Sequence, residues 1–105
     1  AALYRHAEAL RLHEATLDVR KRVLPTGHPD IAVTIYDIAC VHALMIPKAE
    51  DKAKKCEIAM DWLRQAVTAG YKNVGHMKKD TDLDALRDRE DFQKLIAELE
   101  GNQKR

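Results

Sequence analysis

Glycine, proline, cysteine and aromatic residues are all scarce in this sequence, and each shortage removes a class of structure. Four Gly and three Pro among 105 residues leave no basis for collagen-like, linker-like or low-complexity readings. Only 5% of the residues are aromatic, and no run of alternating Val, Ile, Thr and Tyr lies between turn signals, which argues against a sheet of any size. Excess charge is missing too. Lys and Arg total 18 against 17 Asp and Glu, a formal net charge of +1, so no bulk field draws the chain to nucleic acid or to an anionic membrane. A long hydrophobic run is also absent. The stretch from Ile31 to Ile46 is interrupted by Asp37 and His42 and falls short of the roughly 20 residues that span a bilayer. It reads as a core helix with no signal peptide before it. Cys40 and Cys56 sit inside helical patterns and form no CxxC pair, which suits a reducing, cytoplasmic setting and two unpaired thiols.

What remains is 46% apolar and 33% charged, the composition of a folded, soluble, all-α chain amounting to one domain or a piece of one. Leu3, Ala7, Leu10, Leu17 and Leu24 recur at one or two helical turns, predicting a long amphipathic helix from about Ala2 to Leu24. A second stripe, Leu12, Ala15, Val19 and Val23, widens its apolar face enough to meet two neighbours. Pro25 to Asp30 then supplies a stop, a turn and a restart. Gly27 tolerates positive φ, Pro29 suits a first helical position, and Asp30 faces the positive end of the helix dipole.

The next helix, about Pro29 to Ile46, carries Ile31, Ile35, Ile38, Ala39, His42 and Met45 on one face and Val33, Tyr36, Cys40, Ala43 and Leu44 on the other. A helix apolar almost all round is expected to be covered on both sides. A third helix is predicted from Lys48 to Ala69, amphipathic through Cys56, Ala59, Met60, Leu63, Ala66 and Val67, with Gly70 as its left-handed C′ residue. Beyond it come short pieces at Tyr71 to Met77 and Asp82 to Arg87. A last helix runs from Arg89 to Leu99 through Phe92, Leu95, Ile96 and Leu99, before a frayed tail from Gly101 to Arg105.

Residues 12–24, ending in the basic stretch Arg20-Lys21-Arg22-Val23-Leu24, and the turn Gly27-His28-Pro29-Asp30 resemble the longer, kinesin-light-chain type of tetratricopeptide repeat. Ile35-Tyr36-Asp37-Ile38-Ala39 falls where that family has a Leu-Asn-Asn-Leu-Ala block. Ala66 to Tyr71 and His76 to Phe92 are similar to the terminal segment of bacterial, planctomycete-type repeat arrays, some attached to Ser/Thr protein kinases. The resemblance implies an all-α helical-repeat fragment, with residues 1–70 as repeat helices and 71–105 as a cap, placed at the C-terminal end of a longer array. It further implies a protein or peptide partner on the groove face of the second helix, at Val33, Tyr36, Asp37, Cys40, Ala43 and Leu44. The paired Asn that clamp a peptide backbone in related arrays are Tyr36 and Asp37 here, so a generic clamp is not implied. Two further readings follow: a docking appendage of a kinase, and a purely structural terminus whose groove stripe is filled by its own C-terminal helix or by a second copy, the copy pairing as a homodimer through residues 2–24.

No catalytic, metal or cofactor set emerges from the spacing. His13-Glu14 begins an HExxH pattern, but its second His is Leu17. His6 and His13 lie about 10 Å apart by helical rise, too far to share one ion. Asp80, Asp82 and Asp84 imitate the first ligands of an EF-hand loop, but the required Gly is Ala85 and the bidentate Glu is Asp91. These aspartates read better as caps. Cys40 and His42 are two residues apart on a helix and diverge. No phosphate loop or nucleophile elbow is present, so the chain is expected not to be an enzyme and to need no cofactor. The basic clusters are flanked by acids and lack interleaved aromatics, so they read as solvated helix faces.

Overall fold

The computed structural model describes residues 2–103, with side chains described from Arg5 to Asn102. Among these residues there are five α-helices and no strand: α1 Ala2–Val23, α2 Pro29–Leu44, α3 Lys52–Thr68, α4 Val74–Lys79 and α5 Glu90–Gln103. Two 3-10 turns, Ile46–Lys48 and Thr81–Leu86, complete the order. α2 is the hub, packed on one side by α1, on another by α3, and along a third by the 81–86 turn. The architecture is that of a tetratricopeptide-like helical-repeat fragment.

Local chemistry sets the boundaries. The backbone N–H of Asp30 donates to Nδ1 of His28 at 3.1 Å, so His28 caps α2 and Pro29 occupies the first turn. Gly27, at φ 85°, makes the turn before it. α3 starts at Lys52 instead of Lys48, because Pro47 draws Ile46–Lys48 into a 3-10 turn and Asp51 accepts from the Lys54 N–H at 3.0 Å as the cap. α3 ends as expected. Gly70 takes φ 111°, its N–H donates to the Val67 carbonyl at 3.0 Å, and the Tyr71 N–H donates to the Ala66 carbonyl at 2.9 Å. That is the paired bonding of a left-handed C-terminal cap.

The short pieces shift from their expected bounds because polar side chains cap them. Asn73 accepts from the His76 N–H at 3.1 Å to open α4, and Asp80 from the Asp82 N–H at 3.0 Å to open the 81–86 turn. Arg87 closes α4 from outside, donating to the carbonyls of Lys78 at 2.8 Å and Asp80 at 2.6 Å. The predicted fraying after Leu99 is not found up to Gln103: α5 runs on through Gly101, and the Lys78–Glu100 pair at 2.9 Å pins its last turns to α4. Lys104 and Arg105, the rest of that tail, lie outside the described residues.

Ile38, Ala39, Ala59, Met60, Leu63, Met77, Leu83 and Leu86 form the most deeply buried part of the core, with Phe92, Leu95, Ile96 and Leu99 of α5 beside them. Pro29–Lys48 is long and apolar enough, by length and composition alone, to cross a membrane, which corrects the shorter span read from the sequence. Yet 67% of its most apolar window is buried inside the fold. The Ile31–Ile38 face of α2 is covered, and its opposite face is covered at Tyr36, Cys40 and Ala43 but open at Val33 and Leu44. α1 behaves differently. Leu17 is buried and Leu10 and Leu24 half-buried against the core, whereas Ala7 is exposed. The second stripe is open to solvent, with Leu12 64%, Val19 47% and Val23 70% exposed. Leu3 belongs to the side chains outside the description.

Candidate functional site

The residues expected to face a partner lie on the side of α2 that looks toward the segment following Gly70, and the structure divides them. Tyr36 and Cys40 are buried beneath that segment, and Ala43 is buried as well. Val33 and Leu44 remain open, and Asp37 is half-buried. The division follows from what sits on top. The ring of Tyr71 stacks on that of Tyr36, with centroids 4.2 Å apart and planes 3° from parallel, an arrangement that adds to simple burial.

Beneath the stack one carboxylate organises the polar contacts. The Tyr36 hydroxyl donates to Oδ2 of Asp80 at 2.6 Å and the Cys40 thiol to the same oxygen at 3.6 Å, while Nε2 of His76 lies 3.2 Å from it. The second oxygen, Oδ1, accepts the Asp82 N–H. Burial works against charge on Asp80, but the Tyr36 hydroxyl, the Asp82 amide, the Cys40 thiol and the nearby His76 outweigh it and hold the carboxyl below its ordinary range. The donors respond in the opposite direction. Burial pushes the Tyr36 hydroxyl strongly upward, and the bond to Asp80 adds to this. Burial likewise raises the Cys40 thiol, with the Asp80 charge beside it, and Tyr71 is pushed up to about 12 mainly by burial. Cys40 is therefore a protonated thiol held against a carboxylate, without the thiolate character of a nucleophile.

His42 is equally far from serving Cys40. It is 8% exposed, lies parallel to Trp62 with centroids 6.1 Å apart, and its Nδ1 is 2.8 Å from Nζ of Lys55. Burial, reinforced by the Lys55 charge, lowers its pKa to about 4. It is a neutral imidazole accepting from an ammonium. Cys40 Sγ and carboxylate oxygens of Asp80 and Asp82 do lie within 4.8 Å of one another, a donor set of the kind that holds a cation. The hydrogen bonds to both Asp80 oxygens already account for that convergence. Asp84 is elsewhere, paired with Arg87 at 3.2 Å.

Beside the stack the two segments part and leave an open cleft of about 480 Å³. Val33, Tyr36 and Asp37 line the α2 side, and Gly70, Tyr71, Asn73 and His76 the other. Leu44 is not part of it. Burial raises the pKa of Asp37, countered in part by the charges of His13 and Arg20. Sequence reasoning reached Val33, Tyr36 and Asp37 but missed Tyr71, Asn73 and His76 as the facing wall. The signal was present in Gly70-Tyr71, where a left-handed cap turns an aromatic residue back onto the helices.

A second, larger cleft of about 660 Å³ opens on the other side of Gly27, with Ile31 and Ile35 at its floor and Lys21 and Arg64 at its edges. Arg64 is paired there with Asp61 at 3.3 Å and Asp91 at 3.6 Å.

Comparison with family models gives a match to a family described as tetratricopeptide repeat over residues 1–30, which span α1 and the turn into α2. Comparison with curated proteins and with solved structures gives no match. Repeats of this family are interaction modules and typically carry no catalysis.

Proposed function

We propose that this chain is a non-catalytic protein-interaction module in which residues 71–103 cap the last helix pair of a repeat array, and that its partner is an extended peptide engaged along the cleft of Val33 and Asp37. One observation carries the reading. Although Tyr36 and Cys40 are spent on holding the cap, an open cleft remains where the family's groove-facing helix meets the cap's first turns. The absence of catalysis is supported by chemistry: the buried thiol is protonated against Asp80, and the neighbouring histidine is committed to Lys55. Peptide phage display on the immobilised chain tests the reading. Enriched sequences should lose binding to Val33→Arg and keep it to Leu12→Arg; a selection that enriches nothing, or is indifferent to Val33→Arg, sinks it.

The stripe Leu12, Val19 and Val23 supports a second reading, a symmetric homodimer through α1. Both charge signs flank the stripe, with Asp18 and Arg22 paired at 3.1 Å, so an antiparallel second copy meets opposite charges. Light scattering should then find a dimer that Leu12→Glu with Val19→Glu reduces to a monomer; a monomeric unmodified chain at high concentration refutes it. Cytoplasmic placement beside a bacterial Ser/Thr kinase domain is a further reading, supported by the resemblance of residues 66–92 and decided by the full-length gene.

A further inference from the structure

Within the cleft Asp37 is the one acidic side chain that lines the opening, and it is half-buried there. Its charged surroundings are Arg20 and His13 from α1, His76 from α4, and the carboxylate of Asp80. Arg20 is committed elsewhere, donating through Nη1 to the Thr34 hydroxyl at 2.5 Å and the Asp30 carbonyl at 3.3 Å. His76 lies against Asp80. Lys72, at the cleft's lip, already has a partner. With Arg20 and His76 engaged, His13 is the remaining basic side chain among these surroundings; the half-buried carboxylate retains part of its desolvation cost and gains from a cation brought within bonding distance.

The alternatives fare worse on the same geometry. An acidic partner would meet Asp37 with Asp80 behind it. A purely apolar one would finish removing water from the carboxylate and offer nothing in return. A basic side chain does both things the cleft can reward: its alkyl stem lies along Val33 and the tyrosine stack while its cationic head reaches the carboxylate.

We propose that the cleft recognises a lysine or arginine side chain of an extended peptide, with Asp37 receiving the cationic head and Val33 and Tyr71 contacting the stem. This rests on the interaction reading above and gives it a chemistry.

The test uses the whole chain, ¹⁵N-labelled, titrated with the N-acetyl methylamides of lysine, arginine, norleucine and glutamate while the amide signals of residues 33–37 and 69–76 are followed. Lysine and arginine should give saturable shifts at those positions, with norleucine and glutamate weaker by about ten-fold, the ratio a partly desolvated charge pair provides. Asp37→Asn should remove the preference for lysine over norleucine while leaving the spectrum of the free chain intact, and Asp37→Glu should restore it. Equal shifts from norleucine, a preference for glutamate, an unchanged lysine response in Asp37→Asn, or no saturable lysine response would each overturn the proposal. Phage-selected peptides that bind the cleft through acidic or apolar side chains would overturn it too, yet leave the interaction reading standing.

Discussion

Acidification should weaken this fold through His42. The ring is buried, parallel to Trp62 and within 2.8 Å of the Lys55 ammonium, so a proton added to it would be desolvated and would face a like charge. Its pKa is lowered to about 4 in the folded chain, against an ordinary value of about 6.5. A histidine with a depressed folded pKa binds its proton more readily when unfolded. Its neutral form therefore contributes full stability above the unfolded pKa, and that contribution is lost as pH falls from about 6.5 toward about 4. Between about pH 7.5 and about 4.5 the loss is worth about 2 kcal/mol, allowing for the partly wet edge of the ring. Urea melts of the unmodified chain and of His42→Phe across that range isolate the effect, since every other titrating group is common to both. The gap between the two should move by about 2 kcal/mol in favour of His42→Phe as pH drops. A gap constant to within about 0.5 kcal/mol would refute the placement of a neutral imidazole against Lys55.

Removing only the hydroxyl in Tyr36→Phe leaves the stack with Tyr71 but deprives Asp80 of its shortest donor, and should cost about 1.5–3 kcal/mol in denaturant melts. The Asp80 carboxyl should rise toward its ordinary range in carbon-detected NMR titration. Phe92→Ala empties a site 3% exposed and should cost about 3–5 kcal/mol; a loss under about 1 kcal/mol would mean that α5 does not dock. Asp37→Asn should stabilise the chain at neutral pH and leave it unchanged in strong acid. The raised folded pKa makes ionisation of Asp37 a burden on the native state as pH climbs past the ordinary carboxylate range, and melts at the two extremes decide it.

The helices were legible in the sequence where apolar periodicity and turn chemistry coincide. Gly70 announced its own positive φ, the turn from Pro25 to Asp30 marked its stop and restart, and the Phe92 to Leu99 pattern appeared as a buried face. The start of α3 was not legible, because the choice between Lys48 and Lys52 depends on a capping bond from Asp51 that competes with Pro47. The candidate site was half legible. Helical spacing places Val33, Tyr36 and Asp37 on one face of α2, but the opposite wall arrives from residues 33 or more positions later in the chain, and no local pattern states that distance. Asp80 was readable as a cap; its bonds to Tyr36 and Cys40, 44 and 40 residues away, were not. The open stripe of α1 was visible only as apolarity, and the side left uncovered is a matter of packing.

The bonds of Tyr36 and Cys40 to a single oxygen of Asp80 make the thiol a gauge of the cap's attachment. When the segment after Gly70 lifts away, Cys40 loses its cover and the adjacent carboxylate together, so its reaction with a disulfide reagent proceeds at a rate proportional to the lifted fraction. With Cys56 replaced by Ala, that rate becomes a meter for whatever occupies the cleft. A peptide gripping both walls must slow the chemistry, because it binds the closed form in preference. One that needs the bare face of α2 must hasten it, and the sign alone tells whether the cap is part of the reading surface or a cover that must be displaced.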